Sequence, residues 1–94
     1  MDDAANLNNG IERKRNLPVT ITEWRRNDRE TIRVRLDQFN GCRTIDCRVW
    51  YRSPSGEVRP GRSGLTLSVS HLQALAGALP AALAEARRLG LKLD

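Results

Sequence analysis

The sequence contains few of the residues from which active sites and metal centres are built. It has one histidine, His71, and two cysteines, Cys42 and Cys47, in 94 residues. A zinc site needs about four such ligands, so the usual donors are too few. No nucleophile–histidine constellation and no cluster of carboxylates stands out along the chain. We therefore predict a protein that is not an enzyme and that uses no metal and no cofactor.

Long apolar runs and export signals are also missing. The longest apolar stretch, Leu72 to Ala84, is too short to cross a bilayer and contains Pro80. The start of the chain lacks the basic and apolar regions of a signal peptide. Cys42 and Cys47 lie five residues apart on one predicted strand, so they point to opposite faces and are expected to stay reduced. These features predict a cytosolic protein with no membrane partner.

Aromatic residues and lysines are scarce, whereas arginine is abundant. There are four aromatic residues and two lysines against fourteen arginines, and the net charge is +5. A chain this short buries a modest core and often gains stability by dimerising. Residues 31–67 hold seven arginines against three acidic residues, so most of the excess charge belongs to this segment. That excess favours a polyanionic partner, because guanidinium groups bind phosphate and stack on bases.

The chain divides into an arm and one domain. Residues 1–16 are polar and predict a flexible, partly basic arm, and residues 17–94 form the domain. Alternating apolar and polar residues predict strands near 19–24, 31–39, 43–52 and 57–67. Asn40-Gly41 predicts a tight hairpin, and Ser53-Pro54-Ser55-Gly56 predicts a type I turn. The glycines and proline of residues 60–64 predict a bulge or bend in an edge strand.

The last part of the chain predicts a helix. Ser68 or Ser70 can cap its start, and Gly90 suits its end. Its apolar stripe consists of Leu72, Leu75, Leu79 and Leu83. The opposite side is rich in alanine and is small enough to pack on a partner. Pro80 lacks an amide hydrogen, so we expect it to kink the helix or to split it into two pieces.

One face of the predicted sheet combines arginines with aromatic side chains. Arg33, Arg35 and Phe39 alternate with apolar residues on the second strand. Phe39 is either a packing cap near the hairpin or a platform for an unpaired base, and the surrounding charge favours the platform. Strand alternation puts Trp50 with the arginines and Tyr51 on the apolar face, unless a bulge exchanges them. The arginines form either a solvated face or a set of phosphate ligands, and their excess favours phosphate.

The middle of the chain resembles a known family. The motif consists of Phe39-Asn40-Gly41, then Ile-Asp-Cys-Arg-Val-Trp-Tyr at 45–51, then Gly-Glu-Val-Arg-Pro-Gly-Arg-Ser-Gly-Leu at 56–65. It resembles the positive-cofactor-four family of transcriptional coactivators, whose C-terminal domain binds single-stranded DNA. The resemblance runs from Thr31 to Leu67 and more loosely to Leu89. It implies an α+β fold, in which a curved four-stranded antiparallel sheet is followed by a C-terminal helix, and a homodimer.

The resemblance also implies site residues. Phe39 and Tyr51 match the base-stacking aromatic residues of the family, and Arg48, Arg59 and Arg62 match its basic contacts. Lysines common in the family are replaced here by Asn40, Cys42 and Ser63. The other arginines of residues 31–67 and Trp50 complete the prediction. The predicted nucleic-acid-binding residues are Phe39, Arg33, Arg35, Arg43, Arg48, Trp50, Tyr51, Arg52, Arg59 and Arg62. The predicted dimer interface is the stripe Leu72, Leu75, Leu79 and Leu83.

The sequence thus predicts a homodimeric single-stranded-DNA-binding protein that acts as a transcription cofactor. The short arm favours a prokaryotic-type member, which would lie in the cytoplasm with the nucleoid; a eukaryotic member would be nuclear. Two alternatives stay open. One is a protein-interaction module that recruits transcription machinery through its basic face. The other is an RNA-binding protein, since no residue pattern here distinguishes a 2′-hydroxyl.

Overall fold

A computed structural model describes residues 17–94, so the predicted arm lies outside the described residues. The elements are β1 (Val19–Arg25), β2 (Glu30–Phe39), β3 (Cys42–Arg52), β4 (Val58–Ser68), a 3-10 turn (Val69–His71) and the helix α1 (Leu72–Arg88). The strands form one antiparallel sheet in the order β1-β2-β3-β4. The predicted α+β class, with four antiparallel strands followed by a C-terminal helix, is confirmed.

Two of the connections between strands follow the predicted turn chemistry. Asn40 and Gly41 have φ angles of 52° and 78°, as a two-residue hairpin requires. The amide of Gly56 donates to the carbonyl of Ser53 at 2.9 Å, which closes the predicted turn. Both turns depend on short-range conformational preferences, which is why the sequence alone identifies them.

The connection between β1 and β2 is held by a side chain that the sequence did not single out. The Oδ1 atom of Asn27 accepts hydrogen bonds from the amides of Arg29 and Glu30, each at 2.9 Å. This geometry, in which an asparagine side chain replaces a main-chain acceptor, fixes the path of the turn. The turn is therefore rigidly placed beside the end of β3, where the amide of Arg52 donates to the carbonyl of Arg29 at 3.2 Å.

The register between β2 and β3 sorts the side chains onto two faces. Ile32 lies opposite Val49, Val34 opposite Cys47, and Leu36 opposite Ile45. Directly opposite residues share a face, so the apolar side chains form one surface, in agreement with the alternation of the sequence. Within residues 17–94, Ile45 is the one apolar residue that is buried, with 7% of its surface exposed.

The ladder between β3 and β4 contains a bulge. On β3, one residue, Val49, separates Arg48 from Trp50. Their partners on β4, Gly64 and Pro60, are separated by three residues. The extra residues on β4 bend the edge strand, as the sequence predicted from its proline and glycines.

Gly64 is needed where the bulge ends. A Cβ atom at this position would lie 2.7 Å from the carbonyl oxygen of Cys47 and 2.8 Å from the Cα of Arg48. Both neighbours are main-chain atoms and cannot move aside without shifting β3. Glycine therefore permits the close approach of the two strands.

A 3-10 turn separates the capping residue Ser68 from the start of the helix at Leu72. The hydroxyl of Ser68 accepts a hydrogen bond from the amide of Ser70 at 3.3 Å and caps the 3-10 turn. The helix α1 follows directly, and its N-cap residue His71 makes no side-chain cap. Of the two predicted caps, Ser68 is confirmed as the cap of this end, whereas Ser70 only donates to it.

The C-terminal end of α1 has the predicted glycine cap. Gly90 has a φ angle of 72°, and the amide of Leu91 donates to the carbonyl of Ala86 at 2.9 Å. This is the Schellman arrangement, which satisfies the last carbonyl groups of a helix. In the last turn Arg88 donates hydrogen bonds to Glu85, and this contact lowers the pKa of the Glu85 carboxyl group.

Pro80 does not divide the helix. The 17 residues of α1 run through it in one piece, so the predicted split is wrong. Proline removes one main-chain hydrogen bond, to the carbonyl of Ala76. The hydrogen bonds on either side keep the helix continuous.

The helix is barely packed against its own sheet. None of its residues is buried, and its main contact within residues 17–94 is the 3-10 turn that precedes it. Leu79 and Leu83 of the apolar stripe are 59% and 43% exposed. Leu72 and Leu75 are half-buried, so the chain by itself leaves the second half of the stripe uncovered. No helix in this part of the chain is both long and apolar enough to cross a membrane.

The close approach at Gly64 can be tested by Gly64→Ala. We expect a loss of about 1–3 kcal/mol in the free energy of unfolding, because the added methyl group overlaps main-chain atoms. Urea denaturation followed by circular dichroism measures it. Ser63→Ala, at the exposed neighbouring position, serves as the control and should change little. Equal stability of the two variants would contradict the proposed role of Gly64.

Candidate nucleic-acid interface

Trp50 lies at the centre of the sheet face that carries Arg33, Arg35 and Arg48, which we name the arginine face. Its ring centroid lies 4.3 Å from the Cζ of Arg33 and 5.0 Å from the Cζ of Arg35. Trp50 pairs with Thr31 across the sheet, so it lies on this face and not on the apolar one. The contacts are cation–π interactions, which keep two positive charges next to an apolar ring.

Carboxylates complete the surroundings of these two arginines. Arg33 donates from Nε to Glu23 at 2.8 Å, and Arg35 donates from Nη2 to Asp37 at 3.2 Å. The arginine side chains are 23% and 15% exposed. Both guanidinium groups are thus held between the indole ring and an acid. They support the shape of the face more than they offer charge to a ligand.

Arg48 is also engaged within the protein. Its Nη2 donates to Asp46 at 2.9 Å and to the hydroxyl of Thr66 at 2.7 Å. Its Nη1 donates to the carbonyls of Gly61 and Arg62 at 3.2 and 3.3 Å. Thr66 in turn donates to Asp46 at 2.6 Å. This network ties the bulge of β4 to β3, and sequence reasoning missed the parts played by the aspartate and the threonine.

An open cleft of about 520 Å³ lies on this face. Phe39 and Trp50 both border it, together with Arg35, Asp37, Thr44, Asp46, Arg48, Pro60 and Thr66. Phe39 is 69% exposed at the hairpin end. A broad apolar ring that is exposed beside cationic groups has the properties of a base-stacking platform. We name this cavity the aromatic cleft.

The predicted arginines Arg52, Arg59 and Arg62 are more exposed than Arg33, Arg35 and Arg48, and they make fewer contacts within the protein. Arg62 protrudes from the bulge, and its side chain makes no ion pair or hydrogen bond within residues 17–94. Arg59 pairs with Glu57. Arg52 donates to the carbonyl of Gly56 at 3.1 Å.

Three predicted binding residues lie off the arginine face. Arg43 pairs with Gln38 in the ladder, and Tyr51 pairs with Glu30 and with Arg59, so parity puts Arg43, Tyr51 and Arg59 on the apolar side. Tyr51 is 37% exposed at the end of β3. The register thus agrees with the alternation-based interpretation, in which Trp50 and Tyr51 face opposite ways. The role that the family resemblance implies for Tyr51 stays a prediction.

The remaining chemical groups of this region are simple. Cys42 is exposed, Cys47 is half-buried, and both are free thiols. No group of three histidine, cysteine, aspartate or glutamate side chains within the described residues has the arrangement of a metal site.

Solved structures with this architecture include several homologues of the coactivator PC4. A bacteriophage T5 homologue of the eukaryotic coactivator, implicated in recombination-dependent DNA replication, has a TM-score of 0.65 and 22% identity over 79% of this chain and 85% of that one. A Burkholderia pseudomallei homologue has a TM-score of 0.55 and 25% identity over 71% and 92%. MoSub1 in complex with single-stranded DNA has a TM-score of 0.55 and 30% identity over 77% and 83%. The fold is therefore that of the PC4-like proteins.

The sequence leads to the same conclusion. The family described as Transcriptional Coactivator p15 (PC4) matches residues 26–78, which is more than half of the chain. The chain belongs to this family, and the resemblance seen between Thr31 and Leu67 is confirmed. None of the curated proteins compared with it matches.

The Arg48 network predicts a stability effect. We expect Arg48→Lys to lower the free energy of unfolding by about 1–3 kcal/mol, because an ammonium group cannot reach the carboxylate and the bulge carbonyls together. Arg43→Lys, an exposed position on the same strand, is the matched control and should be neutral. Chemical denaturation of both variants measures the difference. If both variants unfold at the same denaturant concentration, Arg48 does not hold the bulge in place.

Proposed function

We propose that this chain binds single-stranded DNA on its arginine face and acts as a transcription cofactor. The observation that carries the proposal is the exposed ring of Phe39 beside Trp50, Arg35 and the aromatic cleft. Membership of the PC4 family supports it, as does the similarity to MoSub1, which was solved with single-stranded DNA.

In the proposed mechanism, bases and phosphates are bound by different residues. An unpaired base stacks on Phe39, a contact worth about 1–3 kcal/mol. Tyr51 is the proposed second platform; because it lies on the opposite face, at the other end of β3, the strand has to pass around that end of the sheet to reach it. The exposed guanidinium groups of Arg62 and Arg52 bind phosphates, and Arg48 acts through the bulge that presents Arg62. Duplex DNA binds less well because its bases are paired and stacked already.

The separation of stacking from charge gives a first test. Phe39→Ala should weaken binding of a labelled oligothymidylate by about 1–3 kcal/mol without changing the dependence of log affinity on log salt. Arg62→Gln should reduce that slope by about 0.7, the value for one phosphate contact on a single strand. Fluorescence anisotropy at several salt concentrations measures both effects.

The same titration contains the outcomes that exclude the proposal. Wild-type protein that binds duplex as well as single strands, or that shows no salt dependence, does not use this mechanism. Preference for an oligouridylate over the thymidylate would favour the RNA-binding alternative. Absence of any oligonucleotide binding would favour a protein-interaction module.

We further propose that the functional form is a homodimer. Leu79 and Leu83 are largely exposed, and the helix that carries them has no buried residue. A chain with so small a core of its own is stabilised when a second copy covers its apolar surface. The predicted stripe Leu72, Leu75, Leu79 and Leu83 is the surface that we assign to this contact.

The dimer is tested by Leu79→Asp. We expect the variant to sediment as a monomer and to melt at a lower temperature, because a carboxylate in an apolar interface loses its hydration. Gln73→Asp puts the same group on the same helix but off the leucine stripe, and it should stay dimeric. Analytical ultracentrifugation distinguishes the two. A wild-type protein that is monomeric at micromolar concentration would rule the proposal out.

A further inference from the structure

A second cavity lies on the arginine face, at the end of the sheet that is far from Phe39. Its volume is about 220 Å³, and it lies between the turn that joins β1 to β2 and the last residues of β3. We name it the turn-end cavity. Trp50 borders both this cavity and the aromatic cleft. A single strand that lies along the face can therefore pass from one cavity to the other.

Two arginines of this cavity are brought together by the main chain. The amide of Arg52 donates to the carbonyl of Arg29 at 3.2 Å. This bond continues the β2–β3 ladder one residue beyond the pair formed by Glu30 and Tyr51. Arg29 and Arg52 thus stand opposite each other, and like charges in this position destabilise a sheet. An anion bound between them would remove the repulsion.

The charge of the turn-end cavity is not balanced by nearby acids. One acid, Asp28, lies in the lining and pairs there with Arg25, while Glu30 and Glu57 pair with Arg26 and Arg59 outside it, so the positive charges of Arg29 and Arg52 remain unbalanced. Within residues 17–94, neither Arg29 nor Arg52 has a carboxylate at ion-pair distance. The one hydrogen bond from the Arg52 side chain, to the carbonyl of Gly56, orients its guanidinium and leaves most of its N–H groups without a protein acceptor.

The aromatic lining of the cavity fits a nucleotide better than it fits a free ion. Trp50, whose side chain lies on this face, contributes to its wall, whereas Tyr51 borders the cavity with its side chain directed to the opposite face. The indole N–H of Trp50 is the one buried side-chain donor of the described residues that lacks an acceptor. Cationic groups beside aromatic rings are the combination that binds single-stranded nucleic acid.

We propose that the turn-end cavity binds a phosphate of the nucleic acid strand, held by Arg29 and Arg52. A guanidinium group presents parallel N–H groups that match two phosphate oxygens. This inference rests on the proposed function, because it extends the same binding track from Trp50 to the β1–β2 turn. The phosphate is either an internal diester of a long strand or the terminal monoester of a short one.

The test compares the double variant R29Q/R52Q with the control R26Q/R88Q. Both lose two positive charges, but Arg26 and Arg88 lie outside the cavity and are paired with Glu30 and Glu85. Each protein is titrated with oligothymidylates that lengthen by one nucleotide, with and without terminal phosphates. Circular dichroism melting checks that both variants are folded.

We expect R29Q/R52Q to bind the shortest oligonucleotides like the control and to lose the gain in affinity that longer ones provide. Its salt slope on long strands should be smaller by about 0.7 to 1.4, for one or two lost contacts. Loss of a gain that only terminal phosphates provide identifies the monoester as the ligand. Equal behaviour of the two variants, or equal weakening at all lengths, overturns the inference. Failure of the wild type to bind any single strand would instead overturn the proposed function.

Discussion

The guanidinium group of Arg48 holds together the most irregular part of the sheet. It joins the carboxylate of Asp46 on β3 to main-chain carbonyls in the bulge of β4. Because its N–H groups point in fixed directions, the bulge has to lie where they can reach both. The close approach of Gly64 and the exposed position of Arg62 depend on this contact. The most irregular backbone in the sheet is thus fixed by one planar side chain.

The arginines of the sheet therefore have different roles, although the sequence does not distinguish between them. Arg33 and Arg35 stack on Trp50 and pair with acids, so they keep the aromatic surface in shape. Half-buried charges of this kind need partners and are not available to a ligand. Arg52 and Arg62 are exposed and have few partners or none in the described chain. The net charge of the middle segment thus overstates the charge that a polyanion would meet.

The chain is incomplete as a packing unit, and this affects the interface as well as the stability. The sheet has one apolar face that its own helix does not cover, and α1 leaves Leu79 and Leu83 of its leucine stripe exposed. A chain of this length buries only a small core, so apolar surface left in water limits its stability. In the proposed dimer, the second copy would cover the leucine stripe and keep the arginine-bearing face rigid.

Local sequence signals determined the strands, the Asn40-Gly41 hairpin, the bulge and the two faces, because each depends on neighbouring residues along the chain. Of the two effects predicted for Pro80, a kink or a split, the split is wrong, since one lost hydrogen bond is weak against the rest of a 17-residue helix. Only the tertiary structure decided which arginines are bound by other groups of the protein. Asp46 meets Thr66, and Arg29 meets Arg52, through strand pairing over about twenty residues of sequence. Register, which no local pattern records, is what separates a structural arginine from one that is free to bind.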